Sequence, residues 1–552
     1  MSTNYNRREF VKLSTLAMAG SAALFSGAQF GCSGRGSDII VWDIPGGDFL
    51  RSPDYEVTLR KNGKIWKPFT LFSEWKMVDK IIDHEGEGKY IKLGFGEVQS
   101  SEYVSPEINF DTYAHSWAYF DFSDGPIEVE VKILRSFPGL TLPLESCEVY
   151  PSSLGIKCKV EEKNIIRFVL HKPAKIAIVP NSKLALKKLK EVEPKRAFEG
   201  YLNPLFLFAR NPESNIPSKK AEGTLIVKPG EKYGPEEFSK AKTIYFEPGV
   251  HDYSQYNPDD PNHYIYLKKG QTVYLPGGAF LYGIFNSDVE KPLSDMPLVR
   301  GRGIMSGDKQ KWTASSSFYT LVKHVCLDGI HIFEPHNHIT HGLSYFKDVA
   351  VVGAWHGNTD GIGKNVPIDD PYDGWHADEC FCMAGDTNLA LGGFGRVRNH
   401  TMWQLGNAEP LWIHGSKNSI ADGIYVIAYN KIKKRGEAIN FALNKRNDFG
   451  NKVKVSNVVI DAPFINRIIN VTSSPTTNDI VFKDVLFENI TVNTPFIKEK
   501  SFVGLIECNG GNFGKVVFRN FVVNGEKITS ENFTEYFEMF GGVSIGKEII
   551  IE

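Results

Sequence analysis

The chain has 552 residues, with 63 lysines and arginines against 65 aspartates and glutamates, a formal charge of −2. That balance leaves no basic block to hold nucleic acid, and no apolar run beyond the N-terminus is long enough to cross a bilayer. Aromatic residues make up 12% of the chain and 51 positions are glycine, which points to many short strands, many turns and aromatic surfaces.

The chain opens on Asn6-Arg7-Arg8-Glu9-Phe10-Val11-Lys12, followed by a short apolar stretch from Leu13 to Phe25. Paired arginines ahead of such a stretch look like a bacterial twin-arginine export signal. Gln29-Phe30-Gly31-Cys32 resembles a lipoprotein cleavage site, and a lipid on Cys32 is the one membrane connection the sequence offers. Residues 1–32 are therefore read as an address, and the expected location is the periplasm or the outer membrane of a bacterium. The seven cysteines show no zinc spacing. Cys147 and Cys158 either pair after export or are buried separately, and separate burial is the reading taken. Cys380 and Cys382 alternate along one strand and so share a face, the interior.

Residues 38–235 read as a β-sandwich. Ile127, Val129, Val131 and Ile133 point one way, with Glu128, Glu130 and Lys132 the other. Ala118, Phe120 and Phe122 alternate with Trp117, Tyr119 and Asp121 in the same fashion. The one helical stretch is short, at Pro235–Lys240. From 240 to 552 short strands recur, among them Thr243–Phe246, Thr272–Leu275, Leu298–Arg300, Val325–Leu327, Val349–Val352, Cys380–Met383 and Val516–Val523. Val273, Val299, Val325 and Val351 recur at one constant spacing, and Pro276-Gly277-Gly278, Gly301-Arg302-Gly303 and Asn509-Gly510-Gly511 punctuate the strands. Units this small bury no apolar face alone and must stack, as in a parallel β-helix.

Within that repeat, Asn358-Thr359-Asp360-Gly361 and Gly385-Asp386-Thr387 stand about one coil apart. Coils are spaced by ~4.8 Å, so carboxylates on successive coils are held close by the backbone. Two carboxylates across a groove are the minimum equipment for glycoside hydrolysis, one as acid and one as base or nucleophile. Either motif alone is also a good tight turn. Trp355, Tyr372, Trp375, Trp403 and Trp412 lie near them in sequence, and flat indole faces suit pyranose rings. Asn358 and His414 are further candidates for binding sugar hydroxyls. Lys445 and Arg446 are read as a solvated turn. His336, His338 and His341 lack a carboxylate or cysteine that would complete a zinc site, and no metal or organic cofactor is expected. The acid pairs Asp259-Asp260 and Asp369-Asp370 are read as exposed loop residues.

Thr272-Val273-Tyr274-Leu275-Pro276-Gly277-Gly278-Ala279 and Arg300-Gly301-Arg302-Gly303-Ile304-Met305-Ser306-Gly307 resemble the early coils of β-helical glycosidases. These are the dextranases and isopullulanases of glycoside hydrolase family 49 and, more distantly, the polygalacturonases of family 28. Asn358-Thr359-Asp360 matches their Asn-Thr-Asp motif. Gly385-Asp386, leading into Leu389-Ala390-Leu391, matches part of their Gly-Asp-Asp motif. A sandwich ahead of the repeat, and Trp403-Gln404 in the next coil, favour family 49. The resemblance implies an all-β chain, with an N-terminal β-sandwich followed by a right-handed parallel β-helix. It further implies inverting hydrolysis of a polysaccharide, an α-linked glucan such as dextran or pullulan, with Asp386 as acid and Asp360 as base. The chain departs from the pattern at Thr387, where the family has a second aspartate. Asp373, Asp378, Glu379 and Glu409 are the carboxylates nearby that would replace it. Two other readings stay open: a non-catalytic carbohydrate-binding protein on the same scaffold, and a lyase using a base such as Lys364.

Overall fold

The computed structural model describes residues 39–74, 114–123, 125–137, 140, 142–183, 203–257, 263–289, 292–310, 322–335, 337–341, 343–355, 359–362, 374–405, 408–428, 437–443, 451–463, 465–473, 480–505 and 512–552. Residues 1–32, expected to be an export signal, and Asn358, Asp373, Tyr372, His336, Lys364, Lys445, Arg446 and both acid pairs fall outside them. No helix among the described residues is long and apolar enough to cross a membrane.

Two five-stranded sheets form the first part of the chain. One runs in the order Lys64–Trp66, Tyr55–Lys61, Ile127–Ile133, Ile165–Leu170 and Lys159–Glu161. The other runs Thr70–Glu74, Ala114–Asp121, Leu205–Arg210, Ala174–Pro180 and Cys147–Tyr150. Neighbours are antiparallel except Ala114–Asp121 and Leu205–Arg210, which are parallel. Ile127, Val129, Val131 and Ile133 fill the space between the sheets, as their alternation requires. Cys147 and Cys158 are disulfide-bonded, each only half-buried, which corrects the expectation of separate burial. The bond ties an edge strand of one sheet to the residue leading into an edge strand of the other.

The strand Ala114–Asp121 is buried on both faces, and this is why its alternation is apolar on both sides. Ala118 and Phe120 face the sandwich core. Trp117 and Tyr119, with Phe206 and Phe208 of the neighbouring strand, pack instead on Phe280, Phe333, Phe381, Met383 and Trp403 of the later repeat. The sandwich thus lies against the second part of the chain through an aromatic seam. Asp348 anchors a charged cluster beside that seam, accepting from Lys175, with Arg210 Nε at 3.4 Å and Arg302 Nη2 at 3.8 Å. Burial pushes the Asp348 carboxyl up, but Arg210, Lys175 and Arg302 outweigh it and hold the group at about 2.

After the helix Pro235–Lys240 the chain winds into coils with three walls. The first wall stacks Thr243–Phe246, Thr272–Leu275, Leu298–Gly301, Cys326–Asp328 and their successors in parallel. The second stacks Gly249–Asp252, Ala279–Tyr282, Ile304–Ser306, His331–Phe333, Ala350–Val352 and Phe381–Ala384. Further along, single long strands such as Arg396–Gln404 serve both walls. The third wall contains Val322–Lys323 and Thr340–His341, then Leu389–Gly393, Leu411–Ser416, Glu437–Leu443 and Arg467–Ser473. Inward residues from all three walls make one apolar core, which includes Cys380 and Cys382. The constant valine spacing is only partly structural. Val273 pairs with Val299, but Val299 pairs with Leu327, and Val351 sits on the second wall beside Ile332. Loops between strands absorb extra residues while strand register is kept, so coil length varies.

Candidate active site

The third wall begins at a corner where polar side chains stack coil upon coil. Ile362 bridges Leu389, and the Gly361 N–H donates to the Thr387 carbonyl at 2.8 Å, which sets Asp360 beside Thr387. Leu389 pairs with Leu411 and donates its N–H to the Pro410 carbonyl at 2.8 Å, which sets Thr387 beside Glu409. Leu411 pairs with Ile439, continuing the column to Glu437, and Glu437 pairs with Arg467. On the other side the Ile339 N–H donates to the Asp360 carbonyl, and His338 Nε2 lies 2.8 Å from Asp360 Oδ1. The column therefore reads His338, Asp360, Thr387, Glu409, Glu437, Arg467.

The two motifs are joined directly. The Gly385 N–H donates to Thr359 Oγ1 at 3.0 Å, so the threonine of the first motif fixes the loop of the second. Gly361 admits no side chain, because a Cβ there would lie 2.0 Å from the Asn388 carbonyl oxygen. Asp386 is half-exposed and accepts the Thr387 N–H at 2.9 Å, while Gln404 Nε2 donates to its carbonyl at 2.7 Å. Asp360 and Glu409 are only 2% and 3% exposed. Glu409 Oε1 accepts from Asn440 Nδ2 at 3.1 Å, and one coil on Glu437 Oε1 accepts from Asn470 Nδ2 at 2.5 Å. Glu437 is additionally paired with Arg467 at 3.4 Å.

The walls sort the remaining candidates. Trp412 and His414 lie on the third wall, both half-buried, with ring centroids 4.4 Å apart. Asp378 and Glu379 do not join them. Asp378 is on the first wall, where Arg398 grips it with two bonds of 2.7 and 2.6 Å. Glu379 follows it into an exposed turn. Trp375 is on the same side, its ring 4.8 Å from the Arg398 guanidinium. Trp355 and Trp403, expected to face sugar, belong to the aromatic seam and are closed to any ligand. Trp403 is 2% exposed and meets Phe206 edge-on at 5.0 Å. Trp355 is 5% exposed, donates Nε1 to Ser73 Oγ and packs on His115. A separate cleft of about 440 Å³ runs between the sandwich and the first wall, past Lys175, Arg302, Asp348 and Glu379. It is a different wall from the carboxylate column, and its charges already serve the Asp348 cluster.

Searched against solved structures, the chain is similar to Dex49A from Penicillium minioluteum, at 17% identity and a TM-score of 0.66, over 94% of this chain and 99% of that one. The two share a fold. Weaker overlaps are with the catalytic domain of a GH87 alpha-1,3-glucanase in complex with nigerose (14% identity, TM-score 0.37, 76% and 91% of the two chains) and a polygalacturonase from Erwinia carotovora ssp. carotovora (13%, 0.33, 62% and 99%). No protein-family model matches the chain, and no curated protein matches it in sequence. The sandwich and the three-walled coil therefore form one architecture that recurs over nearly the whole of another chain.

Sequence reasoning had passed over three residues that matter to the site's geometry. His338, read from sequence only as a metal ligand, brings its ring Nε2 to 2.8 Å from Asp360 Oδ1. Thr359 and Asn440 were not singled out. Thr359 lies inside the first motif, so that motif was itself its signal. Asn440 is legible only as the counterpart of Asn470, one coil later on the same wall.

Proposed function

We propose that this protein is an exported glycoside hydrolase that cleaves a neutral polysaccharide by inversion, with Asp386 as general acid and Asp360 as base. The observation that carries the reading is the placement of Asp360 and Asp386 on adjacent coils of one wall, stitched through Thr359. Half-exposed Asp386 is reachable by a glycosidic oxygen. Asp360 is the more buried of the two, with His338 Nε2 2.8 Å from its Oδ1. One coil of ~4.8 Å and one residue of ~3.3 Å separate their backbones by roughly 6 Å. Side chains diverging from that base reach the ~6.5–9.5 Å that leaves room for a water molecule in an inverting enzyme.

The charge of the column speaks for an uncharged substrate. Among the described residues Asp360, Glu409 and Glu437 stand in it and Asp386 beside it, against Arg467 and His338, and a polyuronate or sulfated chain would be repelled by these carboxylates. Together with the motif resemblance to family 49 and the fold shared with Dex49A, this favours an α-linked glucan. Trp412 and His414 supply a flat, partly open surface for a sugar ring on the same wall. The Cys147–Cys158 disulfide supports folding in an oxidising compartment, in keeping with the paired arginines at Arg7 and Arg8.

The test is reducing-sugar release from dextran, pullulan, polygalacturonate and a sulfated galactan, with Asp386→Asn in parallel. Release from a neutral glucan that disappears in the variant supports the assignment. Undiminished activity in the variant moves the chemistry elsewhere. Binding to a glucan without any release would instead favour a carbohydrate-binding protein, with Thr387 marking the lost chemistry.

A further inference from the structure

We infer that Glu409 is a second water-binding carboxylate of this site, working with Asp360 on the far side of Thr387; the inference rests on the hydrolase reading above. Register places Glu409 one coil beyond Thr387, as Asp360 is one coil before it. Asp386, next to Thr387 in the chain, is thus flanked on both sides at the same backbone offset of roughly 6 Å. Along the column Thr387, with its short side chain, is the one rung between Asp360 and Glu409, whose backbones are ~9.6 Å apart, two coil spacings. In the inferred arrangement a water molecule bound over Thr387 directs one hydrogen at each carboxylate.

Glu409 and Glu437 begin from the same local pattern, a glutamate that accepts from an asparagine on the next coil. Their surroundings then diverge. Glu437 is joined to Arg467 and belongs to a structural ladder that continues to Glu499. Glu409 faces Thr387 and Asp360 on its other side, toward the acid. The bond from Asn440 ties its carboxylate to a residue in register with Trp412. A carboxylate only 3% exposed, one rung from the residue that follows Asp386, is placed for chemistry rather than for solubility.

In the step this implies, water donates one O–H to Asp360 and the other to Glu409. The oxygen lone pair forms the new bond to the anomeric carbon. The bond from that carbon to the glycosidic oxygen breaks, and the leaving oxygen takes the proton of Asp386. One water proton passes to Asp360, while the other stays on the product hydroxyl, hydrogen-bonded to Glu409. Atoms and charge balance as a hydrolysis, and no cofactor enters.

The experiment measures kcat and KM on dextran and pullulan for wild type, Asp386→Asn, Glu409→Gln, Glu409→Ala with and without added formate, and Thr387→Asp combined with Glu409→Gln. Folding of each is checked by its melting temperature, and Glu409→Gln is included because it keeps the volume and the Asn440 partner. The expected result is a loss of about 10²–10⁴ in kcat for both Glu409 variants with KM within about threefold. Formate should restore part of the rate to Glu409→Ala, and Thr387→Asp should recover at least about tenfold in the Glu409→Gln background by returning a carboxylate one coil nearer. Glu409→Gln retaining more than about a third of wild-type kcat while Asp386→Asn is dead overturns the inference and leaves the hydrolase reading standing. A loss that neither formate nor Thr387→Asp relieves also overturns it, since a structural glutamate would behave that way. An active Asp386→Asn would remove the hydrolase assignment itself, which the Glu409 variants alone cannot do.

Discussion

Acidification from pH 7 to pH 5 should destabilise the fold through histidines enclosed at the seam between the sandwich and the β-helix and inside the β-helix itself. His115 is fully enclosed in that seam, and neither of its ring nitrogens meets a hydrogen-bonding partner among the described residues. His400 is enclosed inside the β-helix, in register with Ile424 and with Nε2 3.5 Å from Asn388 Oδ1. Burial pushes both imidazoles down from 6.5 to about 3. Below pH 6.5 the unfolded chain takes up protons that the folded chain refuses until about pH 3. Their contribution is therefore intact above 6.5 and lost as the pH falls through that window. At pH 5 each histidine costs about 2 kcal/mol relative to pH 7, so the pair costs about 4 kcal/mol. Asp121 opposes this. Burial lifts its carboxyl to about 6, although Arg302 Nε donates to both of its oxygens at 3.0 Å, so its protonation on acidification returns about 1 kcal/mol. His331, pushed down chiefly by burial and also by Arg210, adds to the loss. Asp348 stays out of the balance, because its window lies between 3.8 and about 2. The net loss of about 3 kcal/mol corresponds to a fall of roughly 3 °C in melting temperature, at ~1 °C per kcal/mol for a chain of this length. Differential scanning calorimetry at the two pH values checks it, with the double variant His115→Phe, His400→Phe alongside. The variant should be no less stable at pH 7 and should lose most of the acid sensitivity. Equal melting temperatures at pH 5 and 7 in the wild type, or an unchanged pH response in the double variant, would refute the reasoning.

Asp348→Asn should destabilise by about 3–5 kcal/mol in urea unfolding, because it removes the anion shared by Lys175 and Arg210 and leaves Arg302 with Asp121 alone. Gly361→Ala forces the Asn388 carbonyl to shift and should cost about 1–3 kcal/mol in stability; a displacement of Asp360 of only ~1 Å would lower kcat about 10²-fold, which steady-state kinetics will show. Trp412→Ala should raise KM about fivefold, for the loss of a stacking contact of ~1 kcal/mol, with the melting temperature almost unchanged. Trp403→Ala should do the reverse, lowering stability by about 3–5 kcal/mol while leaving KM alone, and the same assay pair distinguishes the two tryptophans.

The contrast between those tryptophans shows what the sequence could convey. Alternation along a strand reports two faces, and it placed Ile127 through Ile133 and the two cysteines Cys380 and Cys382 on the buried side. It cannot report what covers the other face. The apolar outer side of Ala114–Asp121 and the outward rings of the second wall are explained only by each other, across residues far apart in the chain. Trp403 therefore had the look of a sugar platform, an exposed aromatic near a catalytic motif, until the sandwich was seen to lie on it.

Position around the coil is hidden for a related reason. Asp378 and Asp386 are eight positions apart, yet they sit on the first and third walls, because the chain turns two corners between them. Closeness in sequence to a motif is thus a poor guide on this scaffold. Closeness to the same corner is the better one. That corner carries Asp360, Thr387, Glu409, Glu437 and Arg467 at intervals that differ each time, since the loops between walls differ in length while the ladder keeps its spacing. A substitution at Thr387 can therefore be compensated by a residue that no local motif would contain, provided that it occupies the next rung. Selection on such a site acts on rungs rather than on motifs, so an incomplete motif is weak evidence for an inactive enzyme here, and the combined Thr387→Asp, Glu409→Gln variant asks whether the rung or the motif decides.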